Sequence, residues 1–218
     1  MKKKNYLNSN LILYDFTLMG INALVPLIGM LLTYLFLYFL CFKAKYDSTL
    51  YLTMSETIIT FIGSWWVYHL MRPIVEDNGG ELYLTFPVKR IYLGVIRVVE
   101  MWLIYVFLLI VYCIGINIIC GISIINLWFQ LSLQSLFFFS FGFFCVVATR
   151  SASYCWIIPV AYAAFYLLTE NSHFELLSIY TLSPKDIEIS EFMTGYGLKI
   201  ILFSMISLGA GQLIFDKY

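Results

Sequence analysis

Charge is scarce in this chain: only 12% of its 218 residues are Asp, Glu, Lys or Arg, while 61% are hydrophobic. Soluble domains carry roughly 25% charged residues, so about half the usual polar complement is missing. A sphere this small cannot hide so much apolar surface from water, whereas a bilayer accepts it as solvent. The few charges balance, thirteen basic against thirteen acidic. No basic excess suits a nucleic acid, and no acidic tail suits a solvating segment.

Paired cysteines are also lacking. Cys41, Cys113, Cys120, Cys145 and Cys155 all fall in apolar runs, and none forms a C-x-x-C pair. Cysteine in such surroundings behaves as a small hydrophobe and reports no redox compartment. Catalytic signatures are missing as well. There is no G-x-x-x-x-G-K-[ST] loop to cradle phosphates, no H-E-x-x-H metal pair and no G-x-S-x-G elbow. The two histidines, His69 and His173, fall on opposite sides of the membrane in the topology below. A glutamate-type intramembrane protease would need paired acids and histidines on core helices, and these are absent. The expectation is a chain that is no enzyme by itself and binds neither metal nor cofactor.

A cleavable leader is not expected either. Lys2, Lys3 and Lys4 are basic, but Asn5, Asn8, Ser9, Asn10 and Asp15 interrupt any apolar region, and no small-residue cleavage site follows. Leu7, Leu11, Tyr14 and Leu18 recur at helical spacing, with Leu13 and Phe16 blurring the stripe. Residues 1–20 therefore read as an amphipathic helix on the membrane surface.

What the chain has in abundance is long apolar runs. A spanning helix needs about 20 such residues at 1.5 Å each. Residues 21–42 carry no charge and begin near Pro26; 49–71 are broken only by Glu56 and end near Trp65, Trp66 and Tyr68, an aromatic belt. No charge occurs from Met101 to Thr149, a length suited to two helices folded near Gly121, Ser123 and Asn126. Arg150 and Ser151 make the next turn, 152–169 a fifth span, 170–191 an acid-rich loop, and 192–215 a sixth span containing Lys199. The expected fold is a single all-α integral membrane domain of six transmembrane helices, with both termini cytoplasmic. With that orientation Lys2, Lys3, Lys4, Arg72, Lys89, Arg90, Arg97, Arg150 and Lys217 lie inside, and Lys43, Lys45, Lys185 and Lys199 outside. Nine against four satisfies the positive-inside rule, although Lys43 and Lys45 oppose it.

Ionisable groups within spans are costly and often functional. Arg97 and Glu100 are expected at the interface as an i,i+3 pair. Glu56 lies about 22 Å of helix from Arg72, inside the outer part of the membrane. It reads either as a structural partner for Lys199 or as a polar point on a translocation path. The run Phe137, Phe138, Phe139, Phe141, Phe143 and Phe144 reads as lipid-facing or helix-packing before it reads as a cargo path. Gly209 and Gly211 offer only a weak close-approach signal, with no G-x-x-x-G.

Residues 72–90 are the informative polar stretch. Glu76 and Asp77 precede Gly79 and Gly80, then Glu81, then Pro87 with Lys89 and Arg90. Asn78 with the glycines breaks the helix, and Pro87 restarts the chain toward the third span. A charged bracket between two membrane helices suits docking of a soluble partner. In this stretch the chain resembles the permease subunit of ABC-2-type transporters, bacterial exporters whose membrane and ATPase parts are often separate chains. Their segment between spans two and three typically runs acid, glycine, glutamate, then proline and a basic residue, matched here by Glu76, Gly79, Glu81, Pro87 and Arg90. Six spans, a surface helix before the first, a short turn after the fourth and a long outer loop at 170–191 agree with that family. The doubled glycine departs from its pattern and implies a shorter coupling helix.

The resemblance implies a coupling interface made of Glu76, Asp77, Gly79, Gly80, Glu81, Pro87, Lys89 and Arg90. It further implies a partner ATPase in two copies carrying the ATP and Mg2+, a second permease in a homodimer or heterodimer, and residence in the plasma membrane. A hydrophobic or amphipathic cargo (a peptide, a drug or a lipid-like molecule) would suit the aromatic, charge-poor interior. Two other readings remain open from sequence: the membrane component of an importer, and a stand-alone immunity or processing protein.

Overall fold

The computed structural model describes residues 6–44, 52–76, 89–169, 178–181 and 187–217. Every regular element among them is helical. Helix α1 (Tyr6–Met19) passes through a 3-10 turn (Gly20–Leu24) into α2 (Val25–Ala44). Helix α3 covers 52–75: it holds a π-turn at Ser55–Ile59, turns at Gly63 and continues as Ser64–Val75. Helix α4 is Tyr92–Cys120, α5 Ile124–Thr149, α6 Tyr154–Thr169 and α7 Ile189–Phe215. Helix α4 begins with a π-turn at Tyr92–Ile96, and α7 holds one at Met193–Gly197 after its first turn.

Four stretches are long and apolar enough to cross a membrane: Ile12–Leu40, Tyr92–Cys120, Ile124–Thr149 and Ile189–Phe215. The expected second and fifth spans meet that description less well. Helix α3 is interrupted at Gly63 and carries buried Ser55, Glu56, Thr57, Thr60 and Ser64, while α6 is described over 16 residues.

Reversals fall where the sequence places them. Gly121 ends α4 at φ 68°, a left-handed conformation that costs glycine little, and its N–H donates to Asn117 O at 2.8 Å. Asn117 Nδ2 then donates to Ile122 O at 2.7 Å, and Ser123 caps α5. At the other end, Arg150 closes α5 at φ 56°. These two turns name the ends of the bundle used below, the Gly121 end and the Arg150 end.

Helix α5 is the most enclosed of the four long helices. Phe138, Phe139 and Phe143 are fully buried and Phe137 nearly so. They meet Phe61, Tyr105, Tyr162, Tyr180 and Phe215 at ring distances of 5.6–6.4 Å. The phenylalanine run is therefore interior packing. The outward faces of α2, α4 and α7 stay apolar, with Leu31 58%, Val111 70% and Met205 68% exposed. Such faces suit hydrocarbon, where helices associate through packing and hydrogen bonds rather than exclusion of water. Close packing needs Gly63, whose missing Cβ would lie 2.5 Å from Phe139 Cε2 and 3.0 Å from Tyr105 Cζ. Gly211 likewise admits the Phe143 ring, whereas Gly209 has open space around it.

Two expectations are corrected here. Trp66 does not join an interfacial belt: it is 1% exposed and its Nε1 donates to Ala23 O at 3.0 Å, beside Trp65 Nε1 to Asn22 O at 3.1 Å. The reason is that α3 continues to Val75, which draws both indoles into the bundle. Arg97 takes Asp15 and not Glu100 as its ion-pair partner. It is 5% exposed and forks onto the buried carboxylate of Asp15, with Nε at 3.0 Å from Oδ2 and Nη2 on Oδ1. A bidentate partner satisfies a buried guanidinium better than a single acid one turn away. Helix α1 consequently turns Asp15 and Met19 inward and leaves Tyr14 and Leu18 outward.

Candidate functional site

Polar side chains concentrate in one place inside the bundle, near the Gly121 end. Glu56 lies on the π-turn of α3 and is 1% exposed. Such single-turn π insertions re-aim side chains and are frequent at functional sites. Its Oε1 accepts from Gln130 Nε2 of α5 and from Thr181 Oγ1, and its Oε2 accepts from Thr181 N at 3.0 Å. Gln130 Nε2 also reaches Thr181 Oγ1 at 3.0 Å. One turn further along α5, fully buried Gln134 donates from Nε2 to Ile179 O at 2.9 Å. Tyr162 of α6 accepts at its hydroxyl from Ile179 N at 3.2 Å. Lys199, the cation the sequence offers to Glu56, rests on the Tyr196 ring at 5.4 Å.

The segment 178–181 gathered by these groups is non-helical and buried, with Ser178 4%, Ile179 1% and Tyr180 0% exposed. It enters deep. Gln130 and Gln134 stand six and ten residues into α5, about 9 and 15 Å from the helix start. Non-helical backbone at that depth is tolerated only where protein groups satisfy it, and here Glu56, Gln134 and Tyr162 do so. The Tyr180 ring packs on Tyr162 and Phe138.

A second polar assembly occupies the Arg150 end, and it bears on the expected coupling residues. The Glu76 carboxylate accepts from Ala152 N at 2.7 Å and from Ser151 Oγ at 3.0 Å, so it staples the end of α3 to the α5–α6 turn. Its pairing with Arg72 at 3.8 Å is half-exposed and adds little. Arg90 donates to Asp216 O, tying the start of α4 to the end of α7. Gln212 Oε1 adds to that tie by accepting from Val95 N at 3.2 Å. Lys89 is exposed. Asp77, Gly79, Gly80, Glu81 and Pro87 lie outside the described residues.

Between α2 and α4 runs an apolar groove of about 500 Å³, walled by Leu27, Met30, Tyr34, Val111, Tyr112 and Gly115. The inner wall carries one polar link, Tyr112 Oη to Ser55 Oγ at 2.7 Å. Among the described residues no three His, Cys, Asp or Glu side chains come together as metal ligands.

Sequence reading found Glu56 but missed its company. Gln130 and Gln134 were legible as an i,i+4 polar pair on the face that also carries Leu127, Leu131 and Phe138. Asp15 as the partner of Arg97, and 178–181 as an inserted segment, had no local signal.

The architecture defines a class: an all-helical, membrane-protein-like fold, with four helices long and apolar enough to cross a membrane and a buried polar centre among the described residues. No family model, no curated protein and no solved structure matches the chain.

Proposed function

We propose that the chain is the transmembrane permease subunit of an ATP-binding-cassette exporter, driven by a separate ATPase. The observation that carries the reading is the Arg150 end. There α3, α4, the α5–α6 turn and α7 bring Arg72, Glu76, Lys89, Arg90, Arg150, Asp216 and Lys217 to one end of the bundle. Glu76 and Lys89, which flank residues 77–88 in the sequence, both stand at this end. A push on those residues would reach α3 and α6 through Glu76, and α4 and α7 through Arg90.

In this reading α3 and α6 complete six spans. Helix α3 runs 24 residues, about 36 Å, enough to cross despite its polar lining. The Arg150 end is cytoplasmic, because five of the seven groups gathered there are basic. Binding and hydrolysis of ATP with Mg2+ on the partner would shift the permease between inward- and outward-open states. Two ATPase copies and a second permease complete the assembly in the plasma membrane, and the cargo is hydrophobic or amphipathic.

The test is co-purification in detergent with a candidate ATPase, comparing wild type with Glu81→Lys and Pro87→Ala. Loss of association or of stimulated hydrolysis in either variant is expected. Unchanged association and stimulation in both would remove the coupling assignment.

A further inference from the structure

The groove between α2 and α4 has the dimensions of one lipid tail. Its α4 wall runs from Leu108 to Ile118, ten residues or about 15 Å, and stops two residues short of the helix end at Cys120. That length is half of the ~30 Å hydrocarbon core, so the groove occupies one leaflet, the one at the Gly121 end. Its volume of about 500 Å³ spread over about 15 Å gives a mean cross-section of about 33 Å². A helix about 10 Å across needs about 80 Å², so a second helix does not enter. A single chain of carbons, each about 4 Å from its neighbours, does. The deep wall is made by Met30 and Tyr112, 6% and 5% exposed, and the Tyr112 hydroxyl is already paired with Ser55 Oγ. A tail lying there touches protein on three sides, against one side on the convex outer face of α7.

A charge stands above this groove. Lys43 and Lys45 oppose the positive-inside count, and the exporter reading gives them no role. Lys43 lies in the last turn of α2, three residues beyond Leu40, where the apolar stretch of that helix stops. The Tyr34 ring rests on Gly115, whose missing Cβ would lie 2.7 Å from Cε2, so these two residues mark one level on the two walls. From that level α4 has five residues left to Cys120, about 7.5 Å, and α2 has nine to Lys43, about 13.5 Å. Lys43 thus stands about 6 Å past the end of α4, within the headgroup layer. We propose that the α2–α4 groove binds one tail of an anionic phospholipid in the leaflet at the Gly121 end, with the lipid headgroup at the level of Lys43. The site needs no ATPase and stands apart from the exporter reading.

The test uses the full chain in phosphatidylcholine nanodiscs holding a trace of phosphatidylglycerol with a diazirine midway along one tail. Photolabelled positions are mapped by peptide mass spectrometry, and phosphatidylcholine with the same tail is the twin probe. Residues 27–34 and 108–118 are expected to take about three-fold more phosphatidylglycerol label than residues 202–213 of α7, three walls against one face. Helix α7 offers Lys199 at the same end but no groove, which makes it the reference. The groove is also expected to take about five-fold more label from phosphatidylglycerol than from the twin, the factor that one lysine supplies near an anionic headgroup. Lys43→Gln should erase that preference and Lys43→Arg should keep it. Val111→Trp drops an indole into the groove from a position 70% exposed, and should bring groove labelling down to the α7 level. Leu31→Trp fills it from the other wall if Val111→Trp does not fold. Met205→Trp adds the same bulk to the outer face of α7 and should leave the groove labelled as in wild type. Groove labelling equal to that of α7, unaltered by the filling variants, or equal for the two probes would overturn the proposal. So would a groove shielded from both probes in a chain that is dimeric by native mass spectrometry, which would give the groove to a second copy.

Discussion

Removing one member of the Asp15–Arg97 pair and then both separates two views of what this buried ion pair does. In Arg97→Leu the Asp15 carboxylate stays 3% exposed and loses both guanidinium bonds. Orphaning one partner of a buried pair costs about 3–5 kcal/mol. The lower figure, about 3 kcal/mol, applies because Asp15 stands only three residues after Ile12 and Arg97 five after Tyr92, both near the ends of their apolar stretches. For a chain of this length each kcal/mol moves the midpoint by about 2–4 °C, which gives a fall of about 6–12 °C. Asp15→Leu with Arg97→Leu replaces the pair with apolar groups of similar bulk, and such replacements are neutral or stabilising. Thermal unfolding in detergent, followed by size-exclusion of the purified chain, reads both variants. The double variant is expected within about 3 °C of wild type. A double variant as damaged as the single one would refute the reasoning, because the loss would then come from the arginine's packing and not from an orphaned charge.

Three further outcomes follow from the packing. Gly63→Val would drive a side chain into Phe139 and Tyr105 and cost about 1–3 kcal/mol, partly recovered by Phe139→Leu in the same chain, as read by a double-mutant thermal cycle. Ser55→Ala strips Tyr112 of its 2.7 Å partner and is expected to cost about 1–3 kcal/mol, while Ser55→Ala with Tyr112→Phe returns to within about 1 kcal/mol of wild type by the same measurement. Glu76→Ala frees the α5–α6 turn from α3, so trypsin should cut after Arg150 several-fold faster at unchanged global midpoint; an unchanged rate would show that the staple does not restrain the turn.

Much of the helix plan was readable because each device behind it is local. The uncharged stretch from Met101 to Thr149 could only fold back on itself, and Gly121 and Ser123 supply a left-handed stop and a cap within three residues. Arg150 and Ser151 likewise announced their turn. What escaped were pairings across the chain. Asp15 and Arg97 stand 82 positions apart, and nothing near either names the other. Glu56 was recognised as buried, but Lys199 drew attention by its charge, whereas the groups that hold Glu56 are neutral donors from Gln130 and Thr181. A neutral donor in an apolar run looks unremarkable until a helix face is drawn. Trp66 misleads for the opposite reason: tryptophan near an expected helix end suggests an interface, whereas the helix runs one turn further, to Val75, and Trp66 is core.

The long reach of these pairings also sets an order of assembly. The carbonyls of Asn22 and Ala23 wait 43 residues for Trp65 and Trp66, Asp15 waits 82 for Arg97, and Glu56 waits 125 for Thr181. At about 5–20 residues per second of synthesis, the last of these intervals is about 6–25 s, during which a lone carboxylate must stay near water or another protein. Chains stalled before Thr181 emerges should therefore leave Glu56 open to a hydrophobic carbodiimide that the finished protein excludes. The polar centre closes late, and the ties of α7 to the start of α4, Gln212 with Val95 and Asp216 with Arg90, close after it.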